Sequence, residues 1–324
     1  VTTVGRRQRV RGGRARSVAA LLAAALTASL AAGCTSGQDD GRGSQASPDA
    51  SARRASVLAV KIDNVGAARP QTGLGAADVV YVEQVEGGLS RLMAVYATRL
   101  PETVGPVRSA RESDLELLAQ FDRPTLAFSG AQSKLLPLID KSSVRARPPG
   151  TASDAYVRNP DRPVPHNLYL RPGRLLPSAP GADALTTGFH FGAAPEGGRE
   201  TASQSVRYPA ARYTFTWSPD KKRWLISMDG EAAVTTDGGR MAAPTVVVQE
   251  VKVRQSAFHD FLGNNTPFTE TVGEGKARVL RDGRAYDVRW ERPKATDGTT
   301  FTTEDGRPMP FGRGQVWVLF TKAS

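Results

Sequence analysis

The only cysteine of this 324-residue chain is Cys34, directly behind a fifteen-residue Ala/Leu-rich tract, Val18–Ala32. A single thiol excludes an internal disulfide framework and any multi-cysteine zinc or iron–sulfur site. The three histidines stand in no H-x-x-x-H or H-x-x-E spacing, so no metal is expected. Buried apolar surface therefore has to hold the fold. At 40% hydrophobic residues the chain can build one large or two medium domains.

Before the apolar tract come Arg6, Arg7, Arg9, Arg11, Arg14 and Arg16, with no acid among them. A basic start, a short apolar run and small residues at its end form a secretory signal, residues 1–33. The run falls short of the roughly 20 residues a membrane-spanning helix needs. Six of the eleven surplus positive charges lie in this start, leaving five for the rest of the chain. That is a weak case for nucleic-acid binding, and none is expected. Leu30-Ala31-Ala32-Gly33-Cys34 resembles a bacterial lipobox, although Ala31 stands where Leu is usual. The alternative is ordinary secretion with an incidental thiol. Arg6-Arg7 lacks the flanks of a twin-arginine signal. Diacylation of Cys34 would suffice for stable anchoring, on the outer face of the cell membrane. Residues 34–54 contain no large apolar residue and read as a flexible tether.

The folded part begins at 55. Val57–Asp63, Asp78–Val85 and Leu92–Thr98 read as strands, with a tight bend at Glu86-Gly87-Gly88. Ser109–Phe121 is the best helix, with Leu115, Leu117, Leu118 and Phe121 on one side. Pro124–Ser129 returns as a strand and Ser133–Ile139 as a short helix. Residues 55–175 thus predict a layered α/β domain. Residues 176–205, dominated by Ala, Gly, Pro and Ser, read as a linker. Beyond them, short strands such as Arg212–Ser218, Arg223–Met228 and Thr245–Val253 alternate with Asp-Gly turns. Residues 206–324 therefore predict a mostly-β domain, a sandwich or open barrel, giving an α+β protein overall.

Chemistry concentrates in three clusters. In Gly105-Pro-Val-Arg-Ser-Ala-Arg111, Ser109 and Glu112 have the spacing of a capping box, and Arg108 and Arg111 flank that helix start. The serine is read as a cap, and the two arginines as a site for carboxylate or phosphate. No local base or nucleophile elbow accompanies Ser109. Asp63, Glu83 and Glu86 form the second cluster. They either neutralise Arg69, Arg91, Arg108 and Arg111 in a buried network or supply acid–base chemistry. The third is Pro165-His166-Asn167-Leu-Tyr169, where His166 is a loop anchor or a general base. Gly73-Leu-Gly75 lacks the Lys-Ser/Thr ending of a P-loop, and no cofactor is expected.

Lys61-Ile-Asp-Asn64, Ala68-Arg-Pro-Gln71, Ala77-Asp-Val-Val-Tyr81, Val85-Glu-Gly-Gly88, the Gly105–Arg111 segment and Pro165–Tyr169 together resemble the YerB-like bacterial lipoproteins. Val246–Glu250 and Gly314–Val318 extend the match more loosely. The resemblance implies an N-terminal and a C-terminal domain of unknown function behind a lipoprotein signal, with no reaction to carry over. The sequence thus points to an exported, lipid-anchored envelope protein with a binding or accessory role. Its candidate site is Asp63, Asn64, Arg69, Glu83, Glu86, Arg91, Arg108, Ser109, Arg111, His166 and Asn167, and its partner a cell-wall component or envelope protein. The alternatives are an envelope hydrolase using Glu83 or Glu86 with His166, and a purely structural network. Replacing Cys34 by Ala should release the protein from membranes or block its processing; unchanged fractionation and processing would sink the lipobox reading.

Overall fold

The computed structural model describes residues 56–260 and 263–323, so the signal, Cys34 and the tether lie outside the described residues. The first half contributes β1 (Leu58–Ile62), β2 (Val79–Gln84), β3 (Ser90–Tyr96), α1 (Glu112–Leu118), β4 (Thr125–Ala127), α2 (Leu136–Lys141) and β5 (Arg145–Ala146). All five residues of β1 are buried. Leu58, Val60 and Ile62 enter one core, while Val57 and Ala59 enter another. Burial on both faces is why β1 and β2 read as near-continuous apolar runs, interrupted by Lys61 and Glu83, rather than as alternating ones.

The second half contributes β6 (Ser203–Tyr208), β7 (Ala211–Ser218), β8 (Arg223–Met228), β9 (Thr245–Val251), β10 (Val253–His259), β11 (Asn265–Thr269), β12 (Gly273–Arg281), β13 (Arg284–Arg292), β14 (Thr300–Thr303) and β15 (Val316–Lys322). Its strands go to different places. β6, β7 and β8 build a separate five-stranded sheet with two short edge pieces, and among the described residues β10 pairs only with β11. The rest join the first half in one 11-stranded sheet of order β14-β13-β12-β9-β15-β2-β3-β1-β4-β5, with Arg199–Glu200 on the edge of β13. The fold is α+β, an α/β first half followed by a mostly-β second half.

The last strand joins the halves. β15 pairs in parallel with β9 on one side and β2 on the other, so that Trp317 stands opposite both Val246 and Val80. Trp317 and Leu319 pack with Tyr213, Phe215, Trp224 and Ile226 of the five-stranded sheet. On the opposite face Val318 and Phe320 meet Tyr81 and the apolar side of α1, Leu117 and Leu118. Three layers result, with the large sheet in the middle. The β2–β3 turn docks on the β6–β7 turn: Ala210 N–H donates to Gly88 O at 2.9 Å. Gly88 has φ +71°, and a methyl group there would lie 2.5 Å from Pro209 Cβ, so glycine alone fits.

The expected helix from Ser109 is corrected. It begins only at Glu112, because Gly105–Ala110 is an extended ribbon laid between β1 and residues 129–130. Asp63 N–H donates to Pro106 O and Arg108 N–H to Lys61 O; on the other side Ser129 N–H reaches Arg108 O and Ala110 N–H reaches Gly130 O. Ser109 therefore caps nothing. The capping acceptor is Asp114, whose Oδ2 takes the Arg111 N–H at 2.6 Å.

The described residues form one compact unit. Proteolytic cleavage between 186 and 203 should leave two fragments that co-elute in native size exclusion and separate only in denaturant, since β15 is hydrogen-bonded to both β2 and β9. Fragments that part in native buffer would show that this pairing does not hold the halves together.

Candidate functional site

The end of β1, the β2–β3 turn, the 105–111 ribbon and the β10–β11 hairpin converge on a pocket of about 610 Å³. Asp63, Glu86, Arg91, Arg108, Ser109 and Arg111 line it on the polar side, and Leu89, Leu135 and Phe258 on the apolar side. Each polar residue arrives from a place its sequence neighbours dictate. Asp63 ends a buried strand, Glu86 lies in a glycine-rich turn, and Arg108 and Arg111 hang from a ribbon held at both edges.

Two of the three arginines have carboxylates. Arg111 grips Glu86 in a bidentate pair, Nε to Oε1 at 2.6 Å and Nη2 to Oε2 at 2.7 Å, and Thr266 Oγ1 donates to Oε1 at 2.5 Å. Burial pushes the Glu86 carboxyl up, but Arg111 and Thr266 more than offset it and hold it below the ordinary value. Asp63 is buried; its Oδ1 accepts the Asn64 N–H at 2.9 Å and its Oδ2 lies 2.8 Å from His166 Nδ1. Arg108 Nε is 3.0 Å from the same Oδ2, close enough to pair its charge, yet it donates no hydrogen bond. Arg91 has no carboxylate within ion-pair distance among the described residues. Its Nη1 reaches only the Ser109 carbonyl, at 3.4 Å. Burial and then repulsion from Arg111 lower its pKa to about 10, against the attraction of Glu86 and Asp63.

The remaining expected residues go elsewhere. Glu83 faces away from the pocket into a buried cluster, where it pairs with Lys61 and accepts from Ser113 Oγ at 2.7 Å. Lys61 Nζ also meets Asp114 Oδ1 at 2.7 Å, and neither side chain is exposed. Burial opposes ionisation of Glu83, but Lys61 and the hydrogen bonds hold it below its ordinary value. Burial lifts Asp114 from 3.8 to about 7, with Glu83 adding to the rise and Lys61 opposing it. Asn64 joins the two sheets: its Nδ2 donates to Tyr213 OH at 2.5 Å and Ser90 Oγ at 3.1 Å, while its Oδ1 accepts from Gln71 and Arg69. Arg69 also pairs with Asp229 at 2.8 Å. Asn167 Oδ1 accepts from Arg158 at 2.7 Å. His166 is bound to Asp63, so the structure does not bring it together with Glu83 or Glu86. Among the described residues no group of three or more His, Cys, Asp or Glu side chains could hold a metal.

Residues 43–185 match the family described as "Protein of unknown function (DUF3048) N-terminal domain", and residues 204–318 match its C-terminal domain. The chain belongs to the DUF3048 family. It is 26% identical over 279 residues to a Bacillus subtilis protein described as "Putative lipoprotein YerB", covering 81% of this chain and 80% of that one. The crystal structure of the Bacillus subtilis YerB protein shares the fold with a TM-score of 0.69 at 20% identity, over 83% of this chain and 91% of that one.

In this DUF3048 chain several site residues escaped the sequence reading. Lys61 had one signal, a lysine inside the apolar run Leu-Ala-Val-Lys-Ile. Asp114 and Thr266 had none, because one lies inside a helix and the other is 180 residues from its partner Glu86. Asp114 yields a pH test. Its native carboxyl keeps a proton that the unfolded chain releases, so its contribution to stability is full below about pH 4 and is lost as pH rises toward about 7. Asp114→Asn, neutral throughout, should flatten that part of the decline in denaturant unfolding; an identical slope would mean the native carboxyl is already ionised.

Proposed function

We propose that this DUF3048 protein is exported and lipid-anchored at Cys34, and serves a binding or accessory role at the outer face of the cell membrane. The curated relative's description as a lipoprotein supports the address. In the same reading the pocket takes a carboxylate or phosphate group of an envelope ligand or partner protein on Arg91 and Arg108. One observation carries this: Arg91 lines the pocket with no carboxylate within ion-pair distance among the described residues, and its one hydrogen bond is a long one to the Ser109 carbonyl. A guanidinium held in a partly buried place without a carboxylate is costly to the empty protein, and a bound oxyanion offsets that cost with paired hydrogen bonds. Arg111 differs, since Glu86 already occupies it. The short α1 adds nothing to this argument.

A hydrolase finds less support. Glu86 is ionised and clamped by Arg111 and Thr266, which makes it a poor proton donor, and Glu83 is turned into the Lys61 cluster. The test is a melting curve of the full chain with and without inorganic phosphate or acetate. Either anion should raise the Tm of the wild type by an amount that Arg91→Gln abolishes, and Arg91→Gln without anion should melt no lower than wild type. A wild type indifferent to both anions, or an Arg91→Gln variant that melts well below it, would favour the internal-network role.

A further inference from the structure

The buried cluster beneath α1 holds a nucleophile that the pocket does not use. Lys61, Glu83 and Asp114 come from β1, β2 and α1, and their side chains are 0%, 4% and 0% exposed. Lys61 Nζ touches one carboxyl oxygen of each acid, Oε1 of Glu83 and, at 2.7 Å, Oδ1 of Asp114. The other two oxygens are held from outside the trio. Ser113 Oγ donates to Glu83 Oε2 at 2.7 Å, and the Arg111 backbone N–H donates to Asp114 Oδ2 at 2.6 Å. An amine is thus fixed against a carboxyl group with no exposed surface, beside a second carboxyl that can take its proton. Such contact supplies in advance the entropy that a reaction between the two groups would otherwise cost.

Buried charges of this kind carry a desolvation cost that a neutral group of similar shape does not. Condensing the amine with one carboxyl removes the charges and releases a water. Asp114 is the better electrophile of the two. Burial, with the Glu83 charge adding to it, lifts its carboxyl to about 7, so much of it is the protonated acid near neutral pH. Glu83 is held as the anion and accepts a proton.

We propose that Lys61 and Asp114 join in an intramolecular isopeptide bond, formed after folding and assisted by Glu83. The unlinked cluster described above, in which Asp114 titrates, is the reactant. The Lys61 ammonium passes one proton to Glu83, and the neutral amine adds to Asp114 Cγ. Negative charge develops on Oδ2, which the Arg111 N–H already faces, and this oxygen becomes the amide carbonyl. Oδ1, which carries the acid proton and lies beside the nitrogen, takes a second proton from it and leaves as water. The C–N bond forms as the Cγ–Oδ1 bond breaks. Glu83 ends as the neutral acid, the form that burial favours once the lysine charge is gone. The product ties β1 covalently to α1.

The experiment is mass spectrometry of a tryptic digest of the full chain. Trypsin does not cut after an acylated lysine or before proline, so the linked protein should yield a branched peptide joining residues 55–91 to residues 112–134. Its mass should be one water below the sum of the two. Unlinked protein yields 55–61 and 112–134 as separate linear peptides, and recovery of these alone overturns the proposal. So does a loop within 55–91 that closes Lys61 on Glu83 instead. Asp114→Ala should give no branched peptide. Glu83→Gln should lower the linked fraction at least tenfold while still eluting with the wild type in native size exclusion; a variant that links as fully as the wild type would remove Glu83 from the step. The wild-type digest decides the bond whether or not either variant folds.

Discussion

Lys61 is completely buried in a strand covered on both faces, and its ammonium must find negative charge inside the protein. Glu83 supplies it from β2, and Asp114, from α1, accepts a second hydrogen bond from the ammonium. That meeting fixes α1 against the face of the sheet and, through Asp114 Oδ2, fixes the chain entering the helix at Arg111. Arg111 then reaches Glu86 in the β2–β3 turn, and Glu86 in turn holds Thr266 of the β10–β11 hairpin. One buried cation thus begins a chain of charge-assisted contacts that ends at the wall of the pocket.

The carboxylates are divided unevenly along that chain. Glu83, Glu86 and Asp63 are spent on Lys61, Arg111 and the His166–Arg108 pair, and Arg91 is left over. A protein built only for stability gains nothing from a guanidinium without a counter-ion, because the charge loses hydration and receives little in return. This imbalance distinguishes the pocket from the Asn64–Tyr213–Ser90 network nearby, where each polar group meets another and the result ties two sheets together.

The two matched family segments, 43–185 and 204–318, do not build two separate sheets. The strand nearest the chain's end is placed between β9 and β2, and Gln315 just before it donates to the carbonyls of Leu74 and Ala77. Parallel neighbours cannot be joined by a tight turn, so such a strand comes from far away in sequence. The pocket inherits this arrangement: its polar floor comes from the first segment, and its rim at Phe258 and Thr266 from the second.

Much of the fold was legible from local pattern. The runs at 57–63, 78–85 and 245–253 are strands because burial on both faces demands mostly apolar residues in succession, and Glu86-Gly-Gly88 turns because Gly87 and Gly88 reach positive φ. The polar clusters at 83–91 and 105–111 were visible as well, since charged side chains at strand ends stand out against apolar runs. The assignment of partners was not. Asp63 takes His166 from 103 residues away, Glu83 takes a lysine two strands over rather than an arginine, and Ser109 lies in a ribbon instead of capping a helix. Local sequence determines which backbone shape is cheap and which side chains must be buried, because those energies depend on neighbours a few residues apart. Which charge meets which is decided only when distant strands share a sheet, because a Coulombic pair depends on distance in space and leaves no periodic trace in the chain.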